Sequence, residues 1–429
     1  MSSSSIFRPN SGARQFLLYN IFWGVSFGCF MAMLNNYLVD IHNFNPAHRG
    51  VLEFFRELPG LCLVFILAAL YRVSDWKIMR LGAIIAVVGV TALALPVHYI
   101  PMCFFVTLWA FGEHVVMPIK STVAMQLAQP GKGGRALGIL SSANNAGFVL
   151  GNGVVAAVFG VGAYLAMSDS KIHKLLEFLG IDSAPLGAYL MAPENKVVLY
   201  NTVWILAGCL VFLAFLCTFS KHIVDAPSKR PKLLFRKKFS IFYALELSYG
   251  ARKQIFLTFG PFVLIKIYGV GPAQIAMLMA LSALINMFIG PAVGRLIDKL
   301  GYRTIMIADT LFLFWVCLLY GFAHNIFPMH IAVWMVAVNF LLDAALSTTA
   351  MATSLYVKDI SANQDEVTAT LSTGISTNHL VAIMAAPLGG WVWVTFGVGT
   401  LFVFSALMAL ANSGIAALIP RKQNPVLHT

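Results

Sequence analysis

Residues 239–268 read FSIFYALELSYGARKQIFLTFGPFVLIKIY, and this stretch sets the problem that the fold has to solve. It is long enough to cross the hydrocarbon core of a membrane, which takes about 20 apolar residues in an α-helix. Arg252 and Lys253 nevertheless stand side by side near its middle. Charged side chains at that depth nearly always face the protein interior or a water-filled cavity. The stretch therefore predicts a membrane helix that borders a polar interior.

The composition of the whole chain supports the same environment. Hydrophobic residues make up 59% of the 429 positions and charged residues 11%, whereas soluble domains are about 25% charged. Long apolar runs without strand patterning indicate helices, which satisfy their own backbone polar groups in lipid. We predict an all-α integral membrane protein. Its twelve spans are predicted at 16–37, 49–72, 77–98, 101–126, 134–163, 197–220, 239–268, 272–296, 303–324, 328–352, 366–394 and 398–420.

The basic residues predict the orientation of the chain. The net charge is +12, and most Lys and Arg residues fall in cytoplasmic segments if the N-terminus lies in the cytoplasm. This positive-inside bias predicts that both termini are cytoplasmic, and it argues against a nucleic-acid partner. The densest cluster, SKRPKLLFRKK at 228–238, joins the sixth and seventh spans; binding to acidic lipid headgroups is an alternative use. The predicted division is a tail at 1–15, a six-helix bundle at 16–220, a linker at 221–238, a second bundle at 239–420 and a tail at 421–429.

Several classes of function are disfavoured by the motifs that the sequence lacks. The six cysteines all lie in apolar runs, which favours packing roles over disulfides or metal ligation. The sequence has no CxxC pair, Gly-rich phosphate loop or nucleophile elbow. We therefore predict no cofactor, no metal site, no enzymatic activity and no transport driven by ATP. No cleavable signal peptide is predicted, and the absence of an N-x-[ST] sequon favours a bacterial inner membrane.

Similar polar patterns recur in the two halves of the chain. The fourth span contains WAFGE at 109–113 and the tenth contains NFLLD at 339–343, each with one carboxylate near mid-depth. The fifth span contains SSANN at 141–145 and the eleventh contains ISTNH at 375–379. These echoes predict two pseudo-symmetric bundles of six helices around a central cavity, an arrangement that many transporters use.

The loop GRLIDKLGYR at 294–303 resembles the signature G-x-x-x-D-[RK]-x-G-x-[RK] of the major facilitator superfamily. The matching positions are Gly294, Asp298, Lys299, Gly301 and Arg303. In the first half, LYRVSDWKIMRLG at 70–82 keeps Asp75, Lys77 and Arg80, with Tyr71 where glycine would stand; APLGGW at 386–391 is also common in the superfamily. The resemblance implies a twelve-helix transporter that alternates between inward-open and outward-open states. It also implies a substrate bound between the two halves, near the middle of the membrane.

The resemblance also suggests roles for the residues of these loops. Asp298 is expected to cap the following helix and to pair with basic residues at a cytoplasmic gate, while Gly301 permits a tight turn. Asp75 and Arg303 are expected to act at the same kind of gate.

The fifth span partly resembles the antiporter signature G-x8-G-x3-G-P-x2-G-G. Gly138, Gly147 and Gly151 fit its first three glycines, and such spacing lets two helices approach closely. Asn152 replaces the proline, Val155 and Ala156 replace the last glycines, and Leu108 stands where an arginine of the fourth span is expected. A drug/proton antiporter is therefore an alternative function.

The embedded charges predict the class of substrate. Of Arg252 and Lys253, one is expected to meet the substrate and the other a carboxylate, with Glu113 and Asp343 as the favoured partners. Glu113 and Lys120 are two turns apart and share one helix face. Arginine with lysine makes a good anion clamp, so we predict a small organic anion or zwitterion. The predicted substrate-binding residues are Arg252, Lys253, Lys120, His379, Asn378, Asn145, Tyr249 and Trp109.

Proton coupling is predicted because a cavity carboxylate that gains and loses a proton can use a proton gradient. The candidate residues are Glu113, His114, Glu246 and Asp343. Structural ion pairs with a hydrogen-bonded histidine are the alternative, and so is a uniporter without coupling. In the outer third of the second span, Glu53, Arg56 and Glu57 are candidate gate residues, and Glu53 with Arg56 has the spacing of a surface pair.

Other functions on the same fold stay open. A lysolipid flippase would need a groove open to the bilayer, and a membrane enzyme or receptor is a weaker alternative. The segment 167–196 contains IHKLLEFLG, which is typical of a short amphipathic helix at the membrane surface; a plain loop is the alternative. The expected partners are a small-molecule substrate, protons and membrane lipids, and we expect the protein to function as a monomer.

Overall fold

The computed structural model describes residues 6–9, 11–96, 98–166, 174, 177, 179, 184–192, 195–219 and 235–420. Within these residues the regular elements are helices joined by turns and short connections, and one isolated β-bridge pairs Phe7 with Ala128. The prediction of an all-α fold is confirmed. The helices are α1 (Ala13–Asp40), α2 (Pro46–Ala69), α3 (Asp75–Ala92), α4 (Tyr99–Leu127), α5 (Gly133–Ala166), α6 (Ala184–Met191), α7 (Lys196–Cys217), α8 (Ser240–Lys266), α9 (Pro272–Leu300), α10 (Tyr302–Ile326), α11 (Met329–Leu346), α12 (Met351–Ile360), α13 (Gln364–Phe396) and α14 (Val398–Ala417).

The twelve predicted spans all correspond to helices. The tenth span is broken, because α11 continues into α12 through a 3₁₀ segment at Ser347–Ala350. In the part of the chain that the structure describes, nine segments have the length and the apolar composition needed to cross a membrane. The remaining three spans are α2, α3 and α8, which contain four, three and four charged residues.

Parts of four predicted features lie outside the described residues. They are the N-terminal tail up to position 5, most of the amphipathic segment at 167–196, the linker up to position 234 and the tail at 421–429.

The chain forms two compact units. The first unit comprises Met1–Phe44, Phe55–Arg230 and Gly269–Ala283. The second unit comprises Asn45–Phe54, Pro231–Tyr268 and Leu284–Thr429. Each unit thus includes one short segment from the other half of the sequence. The first nine residues of α2 belong to the second unit, and the first part of α9 belongs to the first unit.

Glycines bring α1 and α5 of the first unit into backbone contact. A methyl group on Gly24 would lie 3.1 Å from the Cα atom of Gly147, and one on Gly151 would lie 2.1 Å from the carbonyl oxygen of Val25. A methyl group on Gly28 would lie 2.4 Å from the carbonyl oxygen of residue 148. Since lipid tails are as apolar as side chains, close packing of this kind holds membrane helices together.

The glycine prediction for the fifth span is therefore confirmed at two of three positions. Gly147 and Gly151 face α1, but Gly138 has open space where a side chain would project. The expectation for Gly138 is wrong because close contact between α1 and α5 begins further along α5, near Asn144.

The signature loop at 294–303 has the expected turn but not the expected cap. Gly301 has a φ of +80°, a conformation that favours glycine. α10 has Gly301 at its N-cap and no side-chain cap hydrogen bond. The cap predicted for Asp298 is wrong because α9 runs through Leu300, so Asp298 is still inside the last turn of that helix. Arg303 instead donates a 2.8 Å hydrogen bond to the carbonyl oxygen of Ala417.

Glu366 anchors the chain where it enters α13 in the second unit. Its carboxylate accepts hydrogen bonds of 2.6 Å from both Arg236 and Lys238, and a 2.7 Å bond from the backbone N–H of Ala362. The side chain of Asn363 caps the helix by accepting a 2.9 Å bond from the Glu366 N–H. The residues that lead into α8 are thereby tied to the start of α13.

Adding one methyl group tests the contact between α1 and α5. We expect Gly151→Ala to lower the midpoint of thermal unfolding, because overpacking costs typically 1–3 kcal/mol. Gly153→Ala is the matched control, since that glycine lies two residues away in the same helix with nothing within 4 Å of the added atom. Both changes gain the same helix propensity, so equal midpoints for the two purified variants would contradict the packing.

The Glu366 anchor predicts a dependence of stability on acid pH. The hydrogen bond from Lys238, followed by that from Ala362, lowers the pKa of Glu366 below its ordinary value. A lowered folded-state pKa adds stability above the unfolded pKa of about 4.3, and this stability is lost as pH falls through the folded value. We expect Glu366→Gln to unfold at a lower temperature than the wild type at neutral pH. The two thermal midpoints should converge on acidification, and a constant difference across that range would count against the anchor.

Candidate functional site

A cavity of about 270 Å³ opens within the first unit, between α1, α4 and α5. It combines two charged side chains and two amides with an aromatic wall. Its lining consists of Trp23, Gly24, Phe27, Glu113, Met117, Lys120, Ser121, Leu140, Asn144, Asn145 and Phe148. The predicted candidates Glu113, Lys120 and Asn145 are thus brought together.

The two charges of the cavity face each other. Lys120 Nζ lies 3.8 Å from Glu113 Oε1, and the two side chains are 7% and 16% exposed. The predicted shared helix face is confirmed. Trp23 donates its indole N–H to Glu113, and its ring lies 5.3 Å from Lys120 Nζ. The ammonium group is therefore bound by a carboxylate and an aromatic face, both of which a ligand group could replace.

Local packing fixes the position of these side chains. Tyr19 stacks on Trp23 from the side of α1, with ring centroids 5.5 Å apart. Gly112 packs against the backbone of α3, where an added methyl group would lie 2.4 Å from the carbonyl oxygen of Gly82. A methyl group on Gly24 would lie 2.6 Å from the carbonyl oxygen of Asn144. The glycine contacts thus hold α1 against α5 and α4 against α3.

His114 has partners different from those of Glu113. Its Nδ1 lies 2.7 Å from the carbonyl oxygen of Ala110, and its Nε2 lies 3.8 Å from Glu57 Oε2. Glu57 also accepts a hydrogen bond from Arg56. Successive helical residues point about 100° apart, so the predicted relay from Glu113 to His114 is not formed by these contacts.

The second unit contains Arg252, one of the two adjacent cations near the middle of α8. Arg252 is 1% exposed, and its guanidinium group donates to Asp343. The predicted pairing of a central cation with Asp343 is confirmed. The same group lies over the rings of Tyr249 and Phe256, at 5.5 and 5.9 Å from their centroids. Arg252 is therefore held among protein groups.

Lys253 projects from a different face of α8. It is exposed and acts electrostatically on Glu246, which accepts a hydrogen bond from Asn378. Glu246 and Lys253 are seven residues apart, as Glu113 and Lys120 are in α4. Each unit therefore carries one Glu–Lys pair with a two-turn spacing on a single helix.

A second buried network joins the start of α2 to α8. Glu53 is 0% exposed and accepts a 2.8 Å bond from Arg49 and a 2.7 Å bond from Gln254. Gln254 also donates to the Thr258 hydroxyl at 3.0 Å. The candidate gate residue Glu53 thus lies in a fully buried network of the second unit.

Other predicted candidates lie elsewhere. Trp109 does not line the 270 Å³ cavity, because it stacks on Phe30 with ring centroids 3.5 Å apart and is 2% exposed. Asp75 begins α3, is buried, and accepts a 2.8 Å bond from Gln126. His379 is half-buried in α13, next to Asn378.

Sequence reasoning missed Asp309 altogether. The signal for Asp309 was present, because it is the sole charged residue between Arg303 and the end of the ninth predicted span. Arg49 and Gln254 were also missed, and their roles follow from contacts between helices that are distant in sequence.

Comparisons with known proteins agree with this architecture. Residues 241–428 match the sequence profile of the Major Facilitator Superfamily. The solved structure of the nucleoside transporter NupG superposes with a TM-score of 0.70 at 12% sequence identity, covering 96% of this chain and 100% of that one. The profile match thus lies in the second half of the chain, and the superposition shows the fold over nearly its whole length.

Further structures have the same fold. A POT family transporter in complex with 5-aminolevulinic acid gives a TM-score of 0.67 at 11% identity, covering 95% of both chains. A POT family transporter in complex with a thioalcohol-conjugated peptide gives 0.67 at 13% identity, again with 95% of both chains covered. No curated protein sequence matches the chain significantly. These superpositions show that the chain has the fold of the membrane transporters named here.

The two adjacent cations of α8 should differ sharply in their effect on stability. We expect Arg252→Met to destabilise the folded protein by about 3 kcal/mol or more, because removing one partner of a buried ion pair leaves the other charge uncompensated. Lys253→Met, the neighbouring change at an exposed position, should leave the thermal midpoint almost unchanged. Comparable losses in both variants would contradict the different environments of the two cations.

Proposed function

We propose that this protein is a secondary transporter of the major facilitator superfamily that moves a small organic zwitterion, with the cavity of the first unit as part of its binding site. The observation that carries the proposal is the Glu113–Lys120 pair, which lines the cavity at a separation of 3.8 Å. One carboxylate and one ammonium group in one cavity match a ligand that carries both charges. The pair would open to bind the ligand and close when the ligand leaves.

The charge balance favours a zwitterion over a simple anion. An anion bound to Lys120 would leave Glu113 with the Trp23 N–H as its remaining donor, and an unpaired carboxylate in a poorly hydrated site is costly. A zwitterion supplies a cation to Glu113 and an anion to Lys120, so the site keeps its neutrality.

The size and lining of the cavity support a small ligand. A volume of about 270 Å³ is just below the range of roughly 300–1,000 Å³ that is usual for ligand pockets. An extended lipid chain would need more room, which disfavours the lysolipid alternative. Asn144 and Asn145 offer amide groups, while Trp23, Phe27 and Phe148 offer aromatic surface for a partly apolar ligand.

The proposal includes a proton as the coupling ion and cytoplasmic termini. Ionisable groups inside membrane segments commonly serve as proton carriers, and both units contain buried carboxylates. The distribution of basic residues supports the orientation of the termini. A bacterial inner membrane and function as a monomer stay predictions from the sequence.

Thermal-shift measurements with a ligand panel would test the substrate class. The panel consists of small zwitterionic amino acids and dipeptides, matched monocarboxylates and matched amines, each added to the purified transporter. A ligand that binds the folded state alone stabilises it by RT ln(1 + [L]/Kd), about 2.7 kcal/mol at 100-fold saturation. We expect zwitterions to raise the thermal midpoint and the single-charge analogues to act weakly.

Three variants locate the binding site. Lys120→Gln and Glu113→Gln should both abolish the shift with zwitterions. Lys132→Gln should retain the shift, because Lys132 bonds to Gln129 at 2.7 Å and does not line the cavity. If monocarboxylates stabilise Glu113→Gln more than zwitterions stabilise the wild type, the substrate is an anion. Zwitterion binding that survives Lys120→Gln would exclude the cavity as the site.

A further inference from the structure

Asp309 is a buried carboxylate without a role in the site described so far. It lies in α10 and is 7% exposed, and its Oδ1 has no hydrogen-bond partner among the described residues. It lines a small cavity of the second unit, with a volume of about 20 Å³. A polar cavity needs roughly 10–15 Å³ to hold a water molecule, so this one has room for a single water.

The charges around Asp309 do not balance if it is ionised. Arg252 is the cation that acts on Asp309, and Asp343 is the second carboxylate that does so. Arg252 Nη1 already donates to Asp343, while its Nε and Nη2 have no partner among the described residues. One cation therefore faces two carboxylates. When like charges share a buried site, one of them holds a proton more readily.

The elements packed around Asp309 add no further cation. From α8, Arg252 and Tyr249 face it; from α11, Asp343 faces it. The 3₁₀ segment and α12 contribute Thr349 and Thr353. The sequence of α14 contains no titratable residue, and α10 itself brings no other charged group to this cavity.

Most polar neighbours of Asp309 direct their hydrogens elsewhere. Thr310 donates its hydroxyl to a backbone carbonyl of its own helix, at 2.8 Å. The amide of Asn412 donates to the carbonyl of residue 245 and to the hydroxyl of residue 248, both at 3.0 Å. The side chain of Thr349 hydrogen-bonds to Asp309, and its hydroxyl also lies 2.8 Å from a backbone carbonyl at the end of α11. Because Asp309 is buried and shares one cation with a second carboxylate, its surroundings suit the neutral acid.

We propose that Asp309 is the residue of the second unit that takes up and releases a proton during transport, while Asp343 stays ionised against Arg252. The reaction is the addition of a proton to one carboxylate oxygen, which gives a neutral carboxylic acid, and its reversal. The cavity beside Asp309 has room for one water molecule, to and from which the proton can transfer. This assignment rests on the proposed function, because a proton site has a coupling role only in a transporter.

Infrared spectroscopy of the purified transporter in lipid tests the site without any substrate. Spectra recorded over a pH series should show the carbonyl stretch of a buried protonated carboxyl group, which disappears as the pH rises. We expect Asp309→Asn to lose this band and Asp298→Asn, a change at an exposed carboxylate of α9, to keep it. A band that persists in Asp309→Asn would overturn the assignment.

Thermal stability gives the second readout. Asparagine resembles the protonated acid in shape and charge, so Asp309→Asn should be at least as stable as the wild type at neutral pH. A variant that fails to fold, or unfolds at a much lower temperature, would show that the structure needs the ionised form, and the proposal would fail. Sodium chloride should also be compared with choline chloride in both proteins: if sodium chloride raises the thermal midpoint of the wild type alone, Asp309 binds a metal cation and not a proton.

The two proposals fail separately. If the infrared band depends on Asp309 but no zwitterion stabilises the transporter, the proton site stands and the substrate class is wrong. If zwitterions bind through Lys120 but the band is unaffected by Asp309→Asn, the substrate site stands and the proton is bound elsewhere.

Discussion

The structure depends on one constraint: every charge placed inside the membrane needs a partner that the protein itself supplies. Water is scarce at that depth, and an uncompensated charge is costly. Arg252 meets Asp343, Lys120 meets Glu113, and Arg49 meets Glu53. Two of these pairs lie within a single helix, so their residue spacing alone brings them together. The third joins α8 to α11 and thereby fixes how both helices are rotated about their axes.

Close backbone packing makes these pairings possible. Lipid provides no hydrophobic drive for one helix to bind another, so small residues at the interface become important. Gly24 on α1 meets Gly147 on α5, and Gly28 and Gly151 each meet the backbone of the opposite helix. This contact places Trp23 within reach of Glu113 and leaves the two asparagines of α5 at the edge of the same cavity. The cavity therefore depends on the glycines that let α1 and α5 pack closely, as well as on the side chains that line it.

Much of this could be predicted from the sequence. The twelve spans follow from the lengths of the apolar runs, and the Glu113–Lys120 pair follows from a spacing of two helical turns. The pairing of Arg252 with Asp343 was also within reach, because few carboxylates are available at that depth. What could not be predicted depends on the direction in which each helix faces. Trp109 and Trp23 look alike in sequence, yet Trp109 packs on Phe30 in the core whereas Trp23 borders the cavity. Asp309 is different, since its position in an apolar run is plain from the sequence, yet it is not among the residues predicted for the site.

The 3₁₀ segment at Ser347–Ala350 has a geometric consequence for the tenth span. A 3₁₀-helix turns by about 120° per residue and an α-helix by about 100°. Over four residues the difference adds about 80° of rotation. Ten α-helical steps from Asp343 would bring Thr353 to about 280°, well off the same face, and the added turn brings it to roughly 360°. The break therefore aligns Thr353, which lines the Asp309 cavity, with the carboxylate that holds Arg252. A continuous α-helix of the same sequence would put these two groups on different sides.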